Sequence, residues 1–598
     1  MSVKLLNSKS KAYSGAMPDT KGLNFFEEDQ NLSFILKHYL STENYERALP
    51  HLKELGEIAG TQLDELSRMA DKHTPELINY DAKGVRVDNV QYHPSYKEME
   101  SLGYGKFALV AMSHKPVLGF PTKLPHVLKY GFWYLFVQSE FGLACPMSMT
   151  DSAVRVLSKF GDQELKETYL SRMTSTDIDT LWTGAQFMTE KQGGSDVGAN
   201  NVTARKVDDH WEIWGDKWFC SNVSADVALV LARPEGAPEG TKGLGMFLMP
   251  RKLPDGSLNN YRVNRLKDKF GTRDMASGEV TFEGAVAYVV GDITKGFKQM
   301  MSMVNSSRLS NAVRSSAMMR RSFLEALVSA RGRVAFGSSL SEKPLMKETI
   351  FELLLDCEAA ASITFYTASV YDKSDQGNRQ EERLLRILTP LLKGYICKRA
   401  RNSTSEGMEA RGGNGYIEDW INSKLVRDAH VGSIWEGTTN IVALDVVRAL
   451  VKDEAGEIFF YDLYNRLDGI INPLSKQIGK ILMQISKKVE AQSKRIMKLN
   501  GPERDLPAKQ LMNRMYHIFT SSLLLNEAEV QITVQENYRK LYMTLQYIYR
   551  YLLSSKLDEL NYTDSSLLQW FDAIVDFDQV PESAVKGLLE NVKQDVNI

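Results

Sequence analysis

One acidic side chain is placed where it could act as a base on a weakly acidic carbon. Glu436 lies within Ser433–Asn440, a loop with the sequence Ser-Ile-Trp-Glu-Gly-Thr-Thr-Asn, and an apolar-rich helical stretch follows it up to Val451. Thr438 or Thr439 would cap that helix. A carboxylate in a glycine-containing loop between apolar stretches should have a raised pKa, because burial disfavours its charged form. Such a group suits proton removal from carbon, although a solvated glutamate beside a helix N-terminus is the simpler alternative.

Two segments of the middle third contain residues suited to an anionic or aromatic ligand. Met188–Val197 includes the turn Gly193–Ser195, in which glycine permits close backbone approach and a hydroxyl is available to an anion. Lys217–Asn222 places the ring of Phe219 and the hydroxyl of Ser221 at the end of a predicted strand. Alone, each segment has a simpler explanation: an ordinary turn, and a buried aromatic pair in a β core. The glycine spacing is neither that of a Rossmann fingerprint nor that of a P-loop, so a nicotinamide cofactor is not indicated.

Two further segments could contact phosphate. Glu409–Tyr416 contains three glycines in four positions. That pattern fits a helix C-terminus with a left-handed (αL) residue, and it also fits a backbone that approaches a pyrophosphate. Arg331–Gly337 contains Arg333, whose guanidinium could clamp phosphate oxygens. As a lone basic tripeptide, the second segment would mean little.

Four consecutive parts of the chain would position these residues. Residues 1–180 would form an N-terminal extension and a helical domain, and short strand-like runs separated by Gly and Pro indicate an antiparallel β domain over 181–292. Helices return over 293–451, and an additional helical module follows over 452–598. The clearest predicted strands are His210–Phe219, Asp226–Ala232, Gly243–Met249 and Gly278–Phe282.

Composition excludes several other functional classes. The 598 residues include 43% hydrophobic and 25% charged residues and have a net charge of −2, so nothing global attracts nucleic acid or a membrane. The four cysteines are too scattered for a disulfide scaffold or a zinc site, and no metal is predicted. No apolar run approaches the roughly 18 residues of a membrane span. Because Met1–Lys21 also lacks the apolar core of a signal peptide, a cytoplasmic protein is expected.

Together, these five segments, in this order and spacing, resemble the acyl-CoA dehydrogenase family over approximately residues 75–450. The similarity is greatest to its AidB-like branch, and it rests on Tyr80–Pro94, Met188–Val197, Met318–Arg321 and Ser433–Asn440. The resemblance implies a mainly α fold with a β insert. Its parts would be an N-terminal helical domain, an antiparallel β-barrel-like middle domain, a C-terminal four-helix bundle that binds FAD and contains the base, and an extra C-terminal helical module.

The resemblance implies FAD as cofactor, bound between the β domain and the second helical domain. The implied cofactor-binding residues are Met188, Thr189, Gly194, Ser195, Phe219, Ser221, Arg333, Phe336, Glu409, Gly412, Gly413, Thr438 and Asn440. Those before residue 300 would meet the flavin, its ribityl chain or the pyrophosphate. Arg333, Phe336 and the 409–413 residues would reach the FAD of a neighbouring subunit, while Thr438 and Asn440 would close the adenosine-diphosphate side. Such cross-subunit contacts imply a homotetramer.

The resemblance also assigns the chemistry. Glu436 would remove the α-proton of an acyl-CoA thioester while a hydride passes from the β-carbon to flavin N5. The enolate-like oxygen needs hydrogen-bond donors in a dry site. In the family these are the glutamate backbone N–H and a ribityl hydroxyl. Arg308 would tune the charge of Glu436, and Trp435 and Gly437 complete the implied substrate-binding residues.

Three residues depart from the family pattern. Pro344 stands where many dehydrogenases have a glutamine that touches the partner's FAD, and Glu409 replaces a second glutamine. Lys191 replaces the usual proline after Thr-Glu. An acidic residue near a pyrophosphate is unfavourable, so Glu409 would have to bond sugar or adenine instead.

The C-terminal module leaves a second function open. Residues 476–498 contain seven basic residues and one acidic residue, a net charge of +6, and apolar residues recur there at helical spacing. A helix docked by its apolar face is one interpretation, and a patch for DNA or another anionic surface is the other. The main predicted function is an acyl-CoA dehydrogenase with electron-transfer flavoprotein as the family's usual acceptor. The alternatives are an AidB-like DNA-binding stress-protection flavoprotein with residual dehydrogenase activity, and an acyl-CoA oxidase.

Overall fold

The computed structural model describes residues 17–553 and 565–595, so most of Met1–Lys21 lies outside the described residues. The chain divides into two compact units. The mixed unit comprises Glu43–Ser310 together with the short segment Trp435–Gly437. The helical unit comprises the described residues up to Thr42, Asn311–Ile434, and those from Thr438 onward.

Helices are the main secondary structure of the described residues, as the sequence predicted. In chain order they are α1 (Gln30–Tyr39), α2 (Thr42–Ala59), α3 (Gln62–Lys72), α4 (Pro94–Glu100), α5 (His126–Val137), α6 (Ala144–Phe160), α7 (Gln163–Met173), α8 (Gly296–Gly332), α9 (Pro344–Asp375), α10 (Arg379–Arg411), α11 (Gly413–Tyr416), α12 (Ile421–Gly432), α13 (Thr439–Lys452), α14 (Ala455–Asp468), α15 (Pro473–Met497), α16 (Gly501–Asp505), α17 (Ala508–Gln535), α18 (Arg539–Ile548), α19 (Ser565–Val575) and α20 (Glu582–Asp595).

The strands lie chiefly in the mixed unit. They are β1 (Glu76–Tyr80), β2 (Arg86–Gln91), β3 (Gly184–Phe187), β4 (Thr203–Val207), β5 (His210–Ser221), β6 (Val227–Pro234), β7 (Gly245–Pro250), β8 (Tyr261–Leu266), β9 (Ser277–Val289), β10 (Val334–Ala335) and β11 (Ser338–Ser339). β1 and β2 form one antiparallel hairpin, and β10 and β11 form another, which belongs to the helical unit.

Strands β3 to β9 form a seven-stranded sheet that closes on itself. β6 pairs with β4, β4 with β5, β5 with β9, β9 with β7, and β7 again with β6. This circuit confirms a β-rich middle domain. The prediction of a wholly antiparallel sheet is wrong, because β3–β6 and β4–β6 are parallel. β3 and β4 are separated from β6 by other elements of the chain, and such crossover connections permit parallel pairing where a hairpin does not.

The paired strands β6 and β7 separate two apolar cores of the mixed unit. Ala228 and Val230 of β6 face one core, which is lined by inward residues of the barrel strands. Leu229 and Leu231 alternate with them and face the other core, together with apolar residues of α6 and α7. Burial on both faces explains why β6 and β7 are continuous apolar runs.

In the helical unit, α10 packs against α9, α12, α13 and α17, and α17 packs against α9, α13, α15 and α18. The helices after Lys452 therefore share a core with those before it. Whether the helices before Lys452 form a four-helix bundle and those after it a separate module stays a prediction.

A buried ionic cluster helps to fix this packing. The carboxylate of Glu358 on α9 accepts hydrogen bonds from Arg539 at 3.1 and 2.5 Å and lies 3.6 Å from the ammonium of Lys540. Burial raises the pKa of Glu358, but Arg539 and Lys540 outweigh that effect and hold the pKa below its usual value of 4.5. The charged form of Glu358 is thus the one that the fold selects.

Two structural features are absent from residues 17–553 and 565–595. Over these ranges no helix combines the length and the apolar character that crossing a bilayer requires. The same residues contain no group of three His, Cys, Asp or Glu side chains arranged to hold a metal ion. The four cysteines are buried, and none of them forms a disulfide.

Candidate functional site

The loop that contains Glu436 has an unusual backbone. Glu436 has φ +58° and Gly437 has φ +100°, so two consecutive residues of the loop between α12 and α13 have a positive φ. A non-glycine residue in the left-handed region costs about 1–2 kcal/mol. Neighbouring contacts must therefore hold Glu436 in this conformation.

Arg308 supplies one such contact within the mixed unit. Its Nε donates a hydrogen bond to the backbone carbonyl of Glu436 at 3.1 Å, and its Nη1 donates to Oδ1 of Asn305 at 3.4 Å. Arg308 is only 4% exposed. The Glu436 side chain is half-buried, with its Oε2 shielded from solvent. The carboxylate is thus presented on a loop anchored by a buried guanidinium of α8.

Trp435 anchors the other side of the same loop. Its ring stacks on Phe141 with ring centroids 5.8 Å apart and an interplanar angle of 16°. It also packs against the apolar core behind β6 and β7. The structure therefore brings together Arg308, Trp435, Glu436 and Gly437, the four residues predicted for substrate and catalysis.

The two motifs predicted to face the flavin also lie side by side in the mixed unit. The backbone N–H of Trp218 donates to the carbonyl of Thr189 at 2.8 Å. The pairing of β5 with β9 shifts register between Lys217 and Cys220, and such a bulge redirects side chains. Phe219 is consequently 51% exposed, and Trp218 is half-buried. The alternative of a buried aromatic pair is wrong.

The remaining predicted groups of this motif pair are accessible. Ser221 is half-buried, and its Oγ lies 3.2 Å from Oγ of Ser277. Ser195 and Gly194 are exposed. A Cβ on Gly194 would meet the Thr189 hydroxyl at 2.8 Å, so glycine there leaves that hydroxyl its space.

A buried ion pair beneath the Met188–Ser195 loop was not predicted from the sequence. The Glu190 carboxylate accepts from the Lys217 ammonium at 2.6 Å and from the backbone N–H groups of Asn201 at 2.6 Å and Val202 at 3.2 Å. Burial lowers the pKa of Lys217, and Glu190 opposes that shift. A lysine within a strand is usually predicted to face solvent, so nothing in the sequence indicated that Lys217 is buried. The one local sign of a buried ion pair was Glu190, which directly follows Thr189.

Lys191, which departs from the family pattern, has a local explanation. Its ammonium lies 3.2 Å from Asp216 of β5 and 5.7 Å from the centre of the Trp218 ring. The Lys267 ammonium lies 3.3 Å from the centre of that same ring. Cations therefore cover Trp218, and the Lys267 ammonium also lies 4.7 Å from the centre of the Phe219 ring, which remains 51% exposed.

The helical unit brings a second group of predicted residues together. Arg333 Nη1 donates to the carbonyl of Arg411 at 3.3 Å, and it would lie 3.7 Å from a Cβ on Gly412. Gly412 ends α10 with its N–H bonded to the carbonyl of Glu409 at 2.8 Å. Its angles are φ +69° and ψ −147°, so the predicted αL geometry is wrong although a positive φ is found. Glycine is the residue that adopts this region readily.

The other predicted residues of this unit are exposed. Phe336, at the tip of the β10–β11 hairpin, is 91% exposed with φ +53°. Gly413, Thr438 and Asn440 are also exposed. Thr438 is the N-cap residue of α13, as predicted, but its side chain does not make the capping hydrogen bond. Pro344 begins α9, where its missing N–H costs no helical hydrogen bond.

The basic segment forms α15, which is amphipathic as predicted. Its buried apolar residues include Ile478, Ile481, Leu482 and Val489, whereas Ile485 is half-buried. The seven basic side chains of residues 476–498 are all exposed. Glu490 pairs with one of them, Lys494, at 2.6 Å.

Sequence profiles of three known domains match consecutive parts of the chain. The adaptive response protein AidB N-terminal domain matches residues 16–180. The acyl-CoA dehydrogenase middle domain matches residues 185–285, and the acyl-CoA dehydrogenase C-terminal domain matches residues 294–451.

Two relatives match most of the chain. Acyl-CoA dehydrogenase family member 11 of Caenorhabditis elegans is 31% identical over 565 residues, which cover 92% of this chain and 89% of the relative. Putative acyl-CoA dehydrogenase AidB of Escherichia coli (strain K12) is 33% identical over 450 residues, which cover 73% of this chain and 81% of the relative.

Two solved structures have the same fold. Caenorhabditis elegans ACDH-11 in complex with C11-CoA superposes with a TM-score of 0.81 at 30% identity, covering 93% of this chain and 95% of that one. An acyl-CoA dehydrogenase from Bacillus anthracis complexed with FAD gives a TM-score of 0.71 at 18% identity, covering 96% and 99%. The second likeness concerns the fold alone.

Proposed function

Since this chain belongs to the acyl-CoA dehydrogenase family, with an AidB-type N-terminal domain, we propose that it is an FAD-dependent acyl-CoA dehydrogenase. Its relatives carry the names of acyl-CoA dehydrogenases, which are oxidoreductases. The reaction would remove a proton from Cα and a hydride equivalent from Cβ of an acyl-CoA thioester and leave a double bond between them. The relative solved with C11-CoA supports an acyl-CoA as substrate.

The observation that supports this function most is the anchored, half-buried carboxylate of Glu436. Its role is that of the base that takes the α-proton. Arg308 acts as a positioning residue, because it binds the backbone of Glu436 at 3.1 Å and not the carboxylate in that contact. Trp435 and Gly437 flank the base and would contact the thioester.

The residues proposed to hold FAD fit such a cofactor in chemical type. Phe219 offers an exposed ring, and Thr189 and Ser221 offer hydroxyls on the adjoining loop and strand. When bound, FAD would supply the acceptor for the hydride equivalent that leaves Cβ. Met188, Gly194 and Ser195 would complete the contacts of the mixed unit.

In the helical unit, the cluster of Arg333 and Gly412 suits the phosphate-bearing part of an FAD bound by a partner subunit. Phe336, Gly413, Thr438 and Asn440 would contribute to the same part of the cofactor. Glu409 is exposed beside this cluster, and its carboxylate would accept from sugar or adenine groups. The tetramer that such sharing requires belongs to the proposal.

Anaerobic reduction of the flavin tests the proposal. Purified full-length protein is mixed with saturated acyl-CoA esters of short, medium and long chain, C11-CoA among them, and bleaching of the flavin absorbance is followed. We expect at least one ester to bleach the wild type. Glu436→Gln should retain FAD and bind the ester without bleaching.

A matched control is available. Glu536 is also a glutamate with a left-handed backbone, at φ +51°, and it ends α17 in the helical unit. Glu536→Gln should bleach at the wild-type rate. If no ester bleaches the wild type, or if Glu436→Gln bleaches normally, the proposal is wrong. Peroxide production in air distinguishes an acyl-CoA oxidase from a dehydrogenase that passes electrons to an electron-transfer flavoprotein.

A second candidate function is nucleic-acid binding of the AidB-like type. The observation that favours it is the exposed basic face of α15, with seven basic side chains and one acidic partner. Each charge that neutralises a phosphate contributes about 0.9 to the salt dependence of DNA binding. The test variant replaces Lys487, Lys488, Lys494 and Arg495 by glutamine. The matched control replaces the exposed lysines Lys123, Lys206, Lys242 and Lys252.

DNA binding of both variants is measured as a function of salt. A smaller salt slope in the α15 variant alone would support this candidate. Equal slopes in the wild type and both variants would refute DNA binding through α15, and its basic side chains would then be the solvated face of a docked helix.

The four-part domain division, a cytoplasmic location and the absence of a metal requirement are further parts of the proposal.

A further inference from the structure

The Met188–Thr189 part of the proposed cofactor loop is held by side chains that the sequence did not single out. The carbonyl of Met188 accepts from the Lys217 ammonium at 3.3 Å and from Nδ2 of Asn200 at 3.0 Å. The carbonyl of Thr189 accepts from the Trp218 N–H at 2.8 Å. Both carbonyls are therefore committed to β5 or to the segment before β4.

Because the peptide between Met188 and Thr189 is trans, its N–H points away from its carbonyl. Fixing the Met188 carbonyl towards Lys217 fixes the Thr189 N–H on the opposite side. The Thr189 hydroxyl lies over Gly194, which leaves it room. Lys217, together with Asn200, thus orients the Thr189 N–H that remains available to a ligand.

Glu190 makes this position of Lys217 possible. The two side chains are 4% and 0% exposed and 2.6 Å apart. The Glu190 carboxylate also accepts from Nε2 of Gln192 at 2.8 Å and from the N–H groups of Asn201 and Val202. Burying a charge is unfavourable unless it is paired and hydrogen-bonded. Here the Glu190 carboxylate has several donors, and the Lys217 ammonium has the Glu190 carboxylate as its partner.

We propose that Lys217 and Glu190 are positioning residues for FAD: they set the orientation of the Thr189 peptide and hydroxyl that the cofactor contacts. This inference rests on the proposed function, because it requires FAD at the Thr189 loop. Lys217 does not touch the cofactor in this proposal. It acts through the Met188 carbonyl.

The test measures FAD affinity and stability separately in the full chain. Lys217→Met keeps the apolar stem but leaves Glu190 as a buried, uncompensated charge, so a folding defect is a risk. The double variant Glu190→Gln with Lys217→Met removes both charges at nearly constant volume. FAD dissociation constants are obtained by titrating the deflavinated proteins, and melting temperatures are measured on the same samples.

A matched control is Lys129→Met. Lys129 and Asp151 form another buried pair of the mixed unit, with side chains 2% and 11% exposed and 2.6 Å apart. This control removes a buried ammonium from a carboxylate of the same unit, away from the Thr189 loop in sequence. It should lower the melting temperature and leave the affinity for FAD unchanged.

We expect the double variant to melt near the wild-type temperature and to bind FAD about tenfold more weakly, the loss that corresponds to roughly one hydrogen bond. The visible spectrum of the FAD that it retains should also shift. If the double variant binds FAD as tightly as the wild type, or if Lys129→Met weakens FAD binding equally, the positioning role is wrong. If the wild type itself binds no FAD, the proposed function fails and takes this inference with it.

Discussion

Replacing Arg308 by methionine should slow acyl-CoA dehydrogenation while leaving FAD bound. Arg308 is 4% exposed, and its Nε donates to the carbonyl of Glu436 at 3.1 Å. Methionine fills much of the same space but has no donor. The loop would therefore lose a contact that holds Glu436 in its left-handed backbone.

The magnitude follows from the chemistry of that contact. A buried hydrogen bond from a charged group contributes about 1.5–3 kcal/mol. If the whole of this energy serves to orient the base, its loss raises the barrier to proton removal by the same amount, which is roughly a 10- to 150-fold decrease in rate. The left-handed conformation itself costs about 1–2 kcal/mol, so Glu436 would relax once released.

The assay is single-turnover bleaching of the flavin by a saturating acyl-CoA in a stopped-flow instrument. The control is Arg320→Met, because Arg320 is another buried arginine of α8, paired with Asp29 at 3.1 Å. The control should reduce stability without changing the bleaching rate. A rate for Arg308→Met within about twofold of the wild type, a difference of roughly 0.4 kcal/mol, would refute the reasoning.

Three further predictions concern stability and are read as apparent melting temperatures. The pKa of Glu358 is lower in the folded protein than its ordinary value of 4.5. Its contribution to the free energy of unfolding is therefore present above about pH 4.5 and is lost as the pH falls below that value. Glu358→Gln should make the melting temperature less dependent on pH in this acid range. Gly412→Ala should lower the free energy of unfolding by about 1–3 kcal/mol, because alanine is strained at a φ of +69°. Gly413→Ala should lower it far less, because there is open space for a Cβ at that position. Leu482→Ala on the buried face of α15 should lower the free energy of unfolding by about 2–5 kcal/mol. Lys487→Ala on the exposed face should change it by less than about 0.5 kcal/mol. Equal costs within either pair, or an unchanged acid profile for Glu358→Gln, would contradict the packing described above.

Three of the four strands that the sequence predicted most clearly have side chains buried on both faces or are strongly aromatic. β6 and β7 are continuous apolar runs, and β5 is rich in aromatic residues. β4, with the sequence Thr-Ala-Arg-Lys-Val, and β8, with Tyr-Arg-Val-Asn-Arg-Leu, alternate with charged residues and read as loops. Their assignment depends on partners distant in sequence, which no local pattern reports. The same reason hid the parallel pairing of β3 with β6.

In the candidate site, too, the local motifs were predictable from the sequence, whereas contacts between distant residues were not. Its motifs are local, and the family resemblance that they carried is confirmed. Arg308 and Glu436 are 128 residues apart, and their nearness was predicted only from the resemblance, which did not predict the contact with the backbone carbonyl. The Glu190–Lys217 pair joins residues 27 apart and was missed. The roles assigned to the individual site residues stay predictions.

The left-handed backbone at position 436 sets up a conflict for directed evolution. Glycine relieves about 1–2 kcal/mol of strain there, and valine or isoleucine would add to it. A library screened for thermal tolerance alone would thus enrich glycine at this site, and if Glu436 is the base, as proposed, those variants would fold and bind FAD but have no turnover. Selection for higher thermal stability therefore has to keep residue 436 unchanged or measure turnover in every round.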